Sequence, residues 1–147
     1  MKVRRSIASV GAAALLGGAG AFLLPAVASA HSVTHTLNFT AVTQKSVNFS
    51  GTTAGEAEND INKAGKIIGF DVIYIALNPK THTASGGVTV DTNGGFLYGT
   101  LNFTNGPVTH GKVTGGTGIF QGATGTITGK DLNKSGTRTA VTITYHG

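Results

Sequence analysis

The chain has 147 residues, and 11 Lys/Arg against 6 Asp/Glu give it a formal charge of +5. Three of those cations, Lys2, Arg4 and Arg5, stand at the extreme N-terminus, so residues 31–147 keep 8 cations against 6 anions, or +2 (8 − 6). That leaves no basic patch of the kind nucleic-acid binding requires, and the lack of cysteine excludes disulfide frameworks, zinc thiolates and a cysteine nucleophile.

Residues 1–30 read as a secretory signal. Lys2, Arg4 and Arg5 form a positive start, an apolar stretch runs from about Ile7 to Val27, and Ala28-Ser29-Ala30 is a small-residue cleavage site. Gly17, Gly18, Gly20 and Pro25 interrupt the apolar stretch, which argues against a retained membrane anchor. The expected product is a secreted domain of residues 31–147, free of the membrane, with the style of a bacterial export substrate. Cleavage would leave His31 at the N-terminus, where its amine and imidazole, with His35 or His110, suit copper. No other landmark of copper-dependent polysaccharide cleavage accompanies them, so the expectation is no metal and no cofactor.

Residues 31–147 contain 22 threonines and 19 glycines, and alternation dominates over any helical period. Strands are expected at 33–43, 45–51, 65–78, 84–92, 95–104, 108–114, 119–129 and 137–146. Leu37, Phe39, Ala41, Val47 and Phe49 share odd parity, which predicts Phe39 and Phe49 inward and their asparagine neighbours outward. Residues 52–64 fall between expected strands, and Glu56, Glu58, Asp60, Lys63 and Lys66 read as a solvated mixed-charge surface loop.

The segment Lys66–Leu77 is apolar on both parities, so both faces need cover. One face suits a lumen and the other a second layer, either a partner subunit (a dimer or trimer) or a shielding loop. Asp71 interrupts it, and two readings stay open. In a lumen it would be desolvated and serve as a general acid or base. Otherwise it pairs with Arg138 or Lys66. Asn93-Gly94-Gly95 and Asn105-Gly106-Pro107 mark hairpin turns.

Between Gly115 and Gly125, glycines at 115, 116, 118, 122 and 125 surround an Ile119-Phe120 pair. The spacing fails as a phosphate cradle: Gln121 stands where a third fingerprint glycine belongs, no helix follows, and Lys130 precedes Asp131 rather than Ser or Thr. A tight turn feeding a strand of a closed sheet fits better.

Val113-Thr114-Gly115-Gly116-Thr117-Gly118-Ile119-Phe120-Gln121-Gly122-Ala123-Thr124-Gly125 closely resembles the signature of allene oxide cyclases, and more distantly that of dirigent proteins. The resemblance implies an all-β fold, an eight-stranded antiparallel β-barrel with a small-molecule cavity, trimeric in the plant members and cofactor-free. It also implies cyclisation, isomerisation or stereoselective coupling of a hydrophobic small molecule. Glu58-Asn59-Asp60 falls roughly where the cyclases keep a water-holding asparagine, which marks Asn59, with Asn62 a near alternative. The cyclases' first-strand glutamate is missing from Leu37–Val42, and Ile75 stands near the position of their cysteine.

Tyr74, Tyr98 and Tyr145 are candidates to hold the polar end of a greasy ligand, against the plainer reading of core or interface filler. Arg138 is a candidate for a ligand carboxylate, against a surface position. Three functions remain: an isomerase- or cyclase-like barrel, a non-catalytic carrier, or a structural surface protein. Convergent polar groups in the cavity favour the first, a wholly aliphatic cavity the second, and a filled lumen the third.

Overall fold

A computed structural model describes residues 32–147; the expected signal segment and His31 lie outside them. Eight strands form one closed antiparallel barrel in chain order: β1 Thr34–Ser50, β2 Thr53–Ile61, β3 Ile67–Asn78, β4 Thr83–Thr92, β5 Gly95–Phe103, β6 Val108–Gly116, β7 Thr124–Asp131 and β8 Arg138–His146. β1 pairs with β8 from Thr34↔His146 to Val42↔Arg138, which closes the sheet and leaves no edge.

The number of strands is the one expected, but their distribution is not. The stretches 33–43 and 45–51 are one strand, and the expected loop 52–64 contains β2. The change from Thr43↔Glu58 to Lys45↔Ala57 leaves Gln44 as an extra residue, a β-bulge. A one-residue insertion exchanges the two faces of everything beyond it. Leu37, Phe39 and Ala41 therefore point inward, while Val47 and Phe49 point out, with Phe49 64% exposed against the expectation. Its ring covers Gly55, where a β-carbon would lie 2.8 Å from it, and stacks near Tyr74 with centroids 6.5 Å apart.

The core fills one end of the barrel. Phe39, Leu97, Val113, Phe120, Ala123, Ile143 and Tyr145 pack together there. Phe120 comes from the signature segment, which leaves β6 after Gly116, makes a 3-10 turn at Gly118–Phe120 and becomes strand again only at Thr124. Gly118 has φ +59, and a β-carbon on it would strike the Gly94 carbonyl. The turn is tied down by Ile119 N–H to Gly94 O at 3.0 Å and Thr117 N–H to Phe96 O at 2.8 Å. Phe120 is 1% exposed and meets Tyr145 edge-on at 5.3 Å. The glycine-rich signature is thus a cork for one end of the barrel.

Replacing Phe120 with alanine should cost about 3–5 kcal/mol in urea unfolding. A loss below about 1 kcal/mol would mean the cork is not part of the cooperative core.

Candidate functional site

Opposite the cork the barrel stays open, and a cavity of about 310 Å³ runs down its axis. That is room for about ten waters, at the small end for a ligand site. Thr104, Gly106, Ser135 and Gly136, from the β5–β6 and β7–β8 ends, frame its mouth. Ile73, Ile75, Val88, Leu101, Ile127 and Val141 make most of the wall. Space for Ile127 exists because β5 carries Gly99, where a β-carbon would overlap the Ile127 side chain.

One wall is different. On β2, Glu56, Glu58 and Asp60 are two residues apart and so project to the same side. Glu58 faces Asp71 directly across the β2–β3 pair, and Asp60 faces Gly69 one step deeper. Glu58, Asp60 and Asp71 are 5%, 2% and 3% exposed. Glu56 lines the cavity on the same strand, and Asp131 lines it from β7. Glu56, Glu58 and Asp60, expected on a solvated loop, are therefore part of the acidic lining of the barrel, while Lys63 and Lys66 are exposed.

Burial sets the chemistry of this group. Asp71 is pushed up to about 9, first by desolvation, then by the charges of Glu58 and Asp60 and by hydrogen bonds with both. Asp60 rises to about 7, mainly through desolvation. Glu58 is raised by desolvation too, but Thr43 Oγ–H donates to its Oε1 at 2.6 Å and offsets part of the shift. No donor of the described residues reaches Asp60 Oδ1 or Asp71 Oδ1. Their partners must come from a proton held within the cluster, from solvent or from a guest. At neutral pH the wall thus carries a neutral acid, Asp71, beside the carboxyl with the strongest stabilising donor, Glu58. Asp131 accepts a hydrogen bond from Thr139 Oγ1 at 3.2 Å.

Asp71 lies in the lumen and has no cation beside it; Arg138 and Lys66 are both exposed. Asn59 has the opposite parity to Glu58 and Asp60 and sits outside the barrel near Ile68 and Phe70. Tyr74 and Tyr98 also face out, at 51% and 39% exposure. Tyr145 is buried, but in the cork, between Phe120 and the ring of His35. None of Asn59, Tyr74, Tyr98, Tyr145 and Arg138 lines the axial cavity. Among the described residues no His, Cys, Asp and Glu group has the arrangement of a metal site.

The same barrel occurs in solved structures. A pyocyanin demethylase superposes with a TM-score of 0.64 at 15% identity, over 76% of this chain and 99% of that one. AbnU, an exo-specific intermolecular Diels–Alderase, gives 0.63 at 8% identity, over 79% of this chain and 100% of its own. The pterocarpan synthase dirigent protein GePTS1 gives 0.57 at 15% identity, over 78% and 88%. The fold is the dirigent/allene oxide cyclase-like barrel. No family model matches the sequence, and no curated protein matches it significantly. At these identities the likeness carries architecture alone.

Raised carboxyl pKa values make stability depend on pH with a definite sign. Between the unfolded value of 3.8 and about 9, folded Asp71 holds a proton that the unfolded chain has lost. Stability must therefore fall as pH rises through that window, by at most about 1.4 kcal/mol per pH unit for one group. Asp60 adds to the fall up to about pH 7. Thermal melts across pH 4–9 should show a declining Tm, and Asp71→Asn should flatten the decline above pH 7. A Tm that rises with pH over this range would contradict the assignment.

Proposed function

We propose that the barrel binds an apolar small molecule in its lumen and isomerises or cyclises it by proton transfer. The observation that carries this reading is the pairing of two buried carboxyls, Asp71 and Glu58, across β2 and β3 at an apolar cavity, where burial pushes Asp71 up to about 9. Asp71 would give its proton to an oxygen or unsaturated carbon of the guest, and Glu58 would take one from a neighbouring carbon. The exchange is proton-neutral overall, so product leaves and a proton passing from Glu58 to Asp71 restores the site. The aliphatic wall holds the reactive conformer and keeps water from intercepting it.

The solved barrels of the same shape support a cavity that binds and transforms small molecules, as their names state a demethylase, a Diels–Alderase and a dirigent protein. A carrier with the same lumen, binding its guest without converting it, is the alternative. As part of this reading the domain acts after export, once residues 1–30 are removed. Self-association would cover the outer face of β1–β3, where Phe49, Phe70, Val72 and Tyr74 are exposed.

Binding is tested with N-phenylnaphthylamine, whose fluorescence should rise in wild type and fail to rise when Val88→Trp fills the lumen. Catalysis is tested by incubating the folded domain with a small-molecule extract of its host and seeking mass-neutral conversions. Asp71→Asn should slow such a conversion about 10²–10⁴-fold with the barrel intact by circular dichroism; an unchanged rate would remove Asp71 from the chemistry. Light scattering of the domain should give a multiple of the monomer mass, reduced by Val72→Lys. A monomer at all concentrations would dismiss the covered face.

A further inference from the structure

The distribution of charge inside the barrel is one-sided. The chain has 6 Asp/Glu, and four of them, Glu56, Glu58, Asp71 and Asp131, line the cavity. Asp60 is buried beside them, and only Asp91 among the six is neither a cavity-lining residue nor part of the buried cluster. Among the described residues lining the cavity, none is Lys, Arg or His. All 8 Lys/Arg of residues 31–147 therefore stand elsewhere. A protein with net positive charge has placed nearly all its anions around one apolar space.

Such a placement is costly unless something answers it. Within the fold the answer is incomplete. Thr43 satisfies part of Glu58, while Asp60 Oδ1 and Asp71 Oδ1, on side chains almost wholly buried, have no donor from the described residues. Asp71 itself lines the cavity. The groups packed around it point the same way: Glu58 and Asp60 from β2, Val90 opposite it on β4, and Glu56 and Asp131 along the same lumen. None is cationic, and none donates.

We infer that the natural guest carries a basic nitrogen, an amine or a protonatable nitrogen heterocycle, on an apolar body. The nitrogen would lie against Asp71 and Glu58, and the body against Ile73, Val88, Leu101 and Ile127. An anionic guest is excluded by the same wall, and a neutral guest leaves the acids without a counter-charge. This inference rests on the proposed lumenal site and specifies its substrate class.

It has a signature that a merely greasy cavity lacks. A cation laid against the cluster favours its ionised form, and the proton given up first is that of Asp60, held near 7, while Asp71, held near 9, stays the acid. Binding a cation should then release protons from the cluster and strengthen as pH rises from 6 to 8. A neutral guest that accepts a hydrogen bond from Asp71 should show the reverse pH dependence.

Three probes with one body separate the cases: naphthylmethylamine, naphthylmethanol and naphthoic acid. Calorimetry on the domain at pH 7.5 in phosphate and in Tris gives both affinity and the number of protons released. The amine should bind roughly tenfold or more tightly than the alcohol, release protons, and far outbind the acid. Glu58→Gln and Asp71→Asn, each first checked by thermal melt, should bring amine and alcohol to within about twofold of each other. An alcohol that binds as well as the amine would overturn the basic-nitrogen inference and leave the lumenal site standing. Binding of none of the three, with N-phenylnaphthylamine also excluded, would overturn both. Should one variant fail to fold, the other and the proton count decide the matter.

Discussion

Closure of the sheet is the constraint from which the rest follows. With β1 bonded to both β2 and β8, every residue on a strand is committed to the lumen or to the outside. Shifting one strand by a residue would exchange those sets and expose the core. That commitment forces Glu56, Glu58 and Asp60 inward together, since alternate residues share a face. It also brings Glu58 opposite Asp71 on the next strand. An open sheet could fray at β2 and hydrate these acids; a closed one holds them out of water.

The barrel divides its length between stability and chemistry. At the corked end, Phe120, Leu97, Ile143 and Tyr145 fill the space between strands, and the glycines of the signature let the turn fold back into it. At the other end the aliphatic wall is left unfilled, and the carboxyl cluster sits where cork gives way to cavity. Burying acids there opposes stability, while the packed cork offsets the cost. This is the familiar division between a rigid scaffold and a strained site.

Much of this architecture is visible in the residues alone. The alternation of Thr with Val, Ile and Leu marks the strands, the glycine signature marks the barrel, and the doubly apolar β3 marks a strand with one apolar face in the lumen and a second, carrying Phe70, Val72 and Tyr74, that stands exposed. Asp71 stands out because it breaks that run. β2 does not, because Thr53–Ile61 contains no large apolar residue before its last position. Its inward residues are Ala54 and three acids and its outward ones include Gly55, Ala57 and Asn59, so hydrophobic periodicity has nothing to detect. The surviving signal is the period-two spacing of Glu56, Glu58 and Asp60, which looks the same on a solvated surface. Gln44 is similarly silent: nothing in its chemistry announces a bulge, yet it turns Val47 and Phe49 outside. Both features depend on which neighbour a residue meets across the sheet, and only closure decides that.

The proposed chemistry depends on Asp71 carrying a proton at neutral pH inside a folded barrel. Carbon-13 NMR of the side-chain carboxyls, followed from pH 3 to 10 on the intact domain, reads this directly. Asp71 should keep its protonated chemical shift at pH 7 and titrate near 9, with Asp60 changing near 7. If both carboxyls are already ionised at about pH 5, as ordinary carboxylates are, the lumen is hydrated and the acid on which the proposed chemistry rests does not exist.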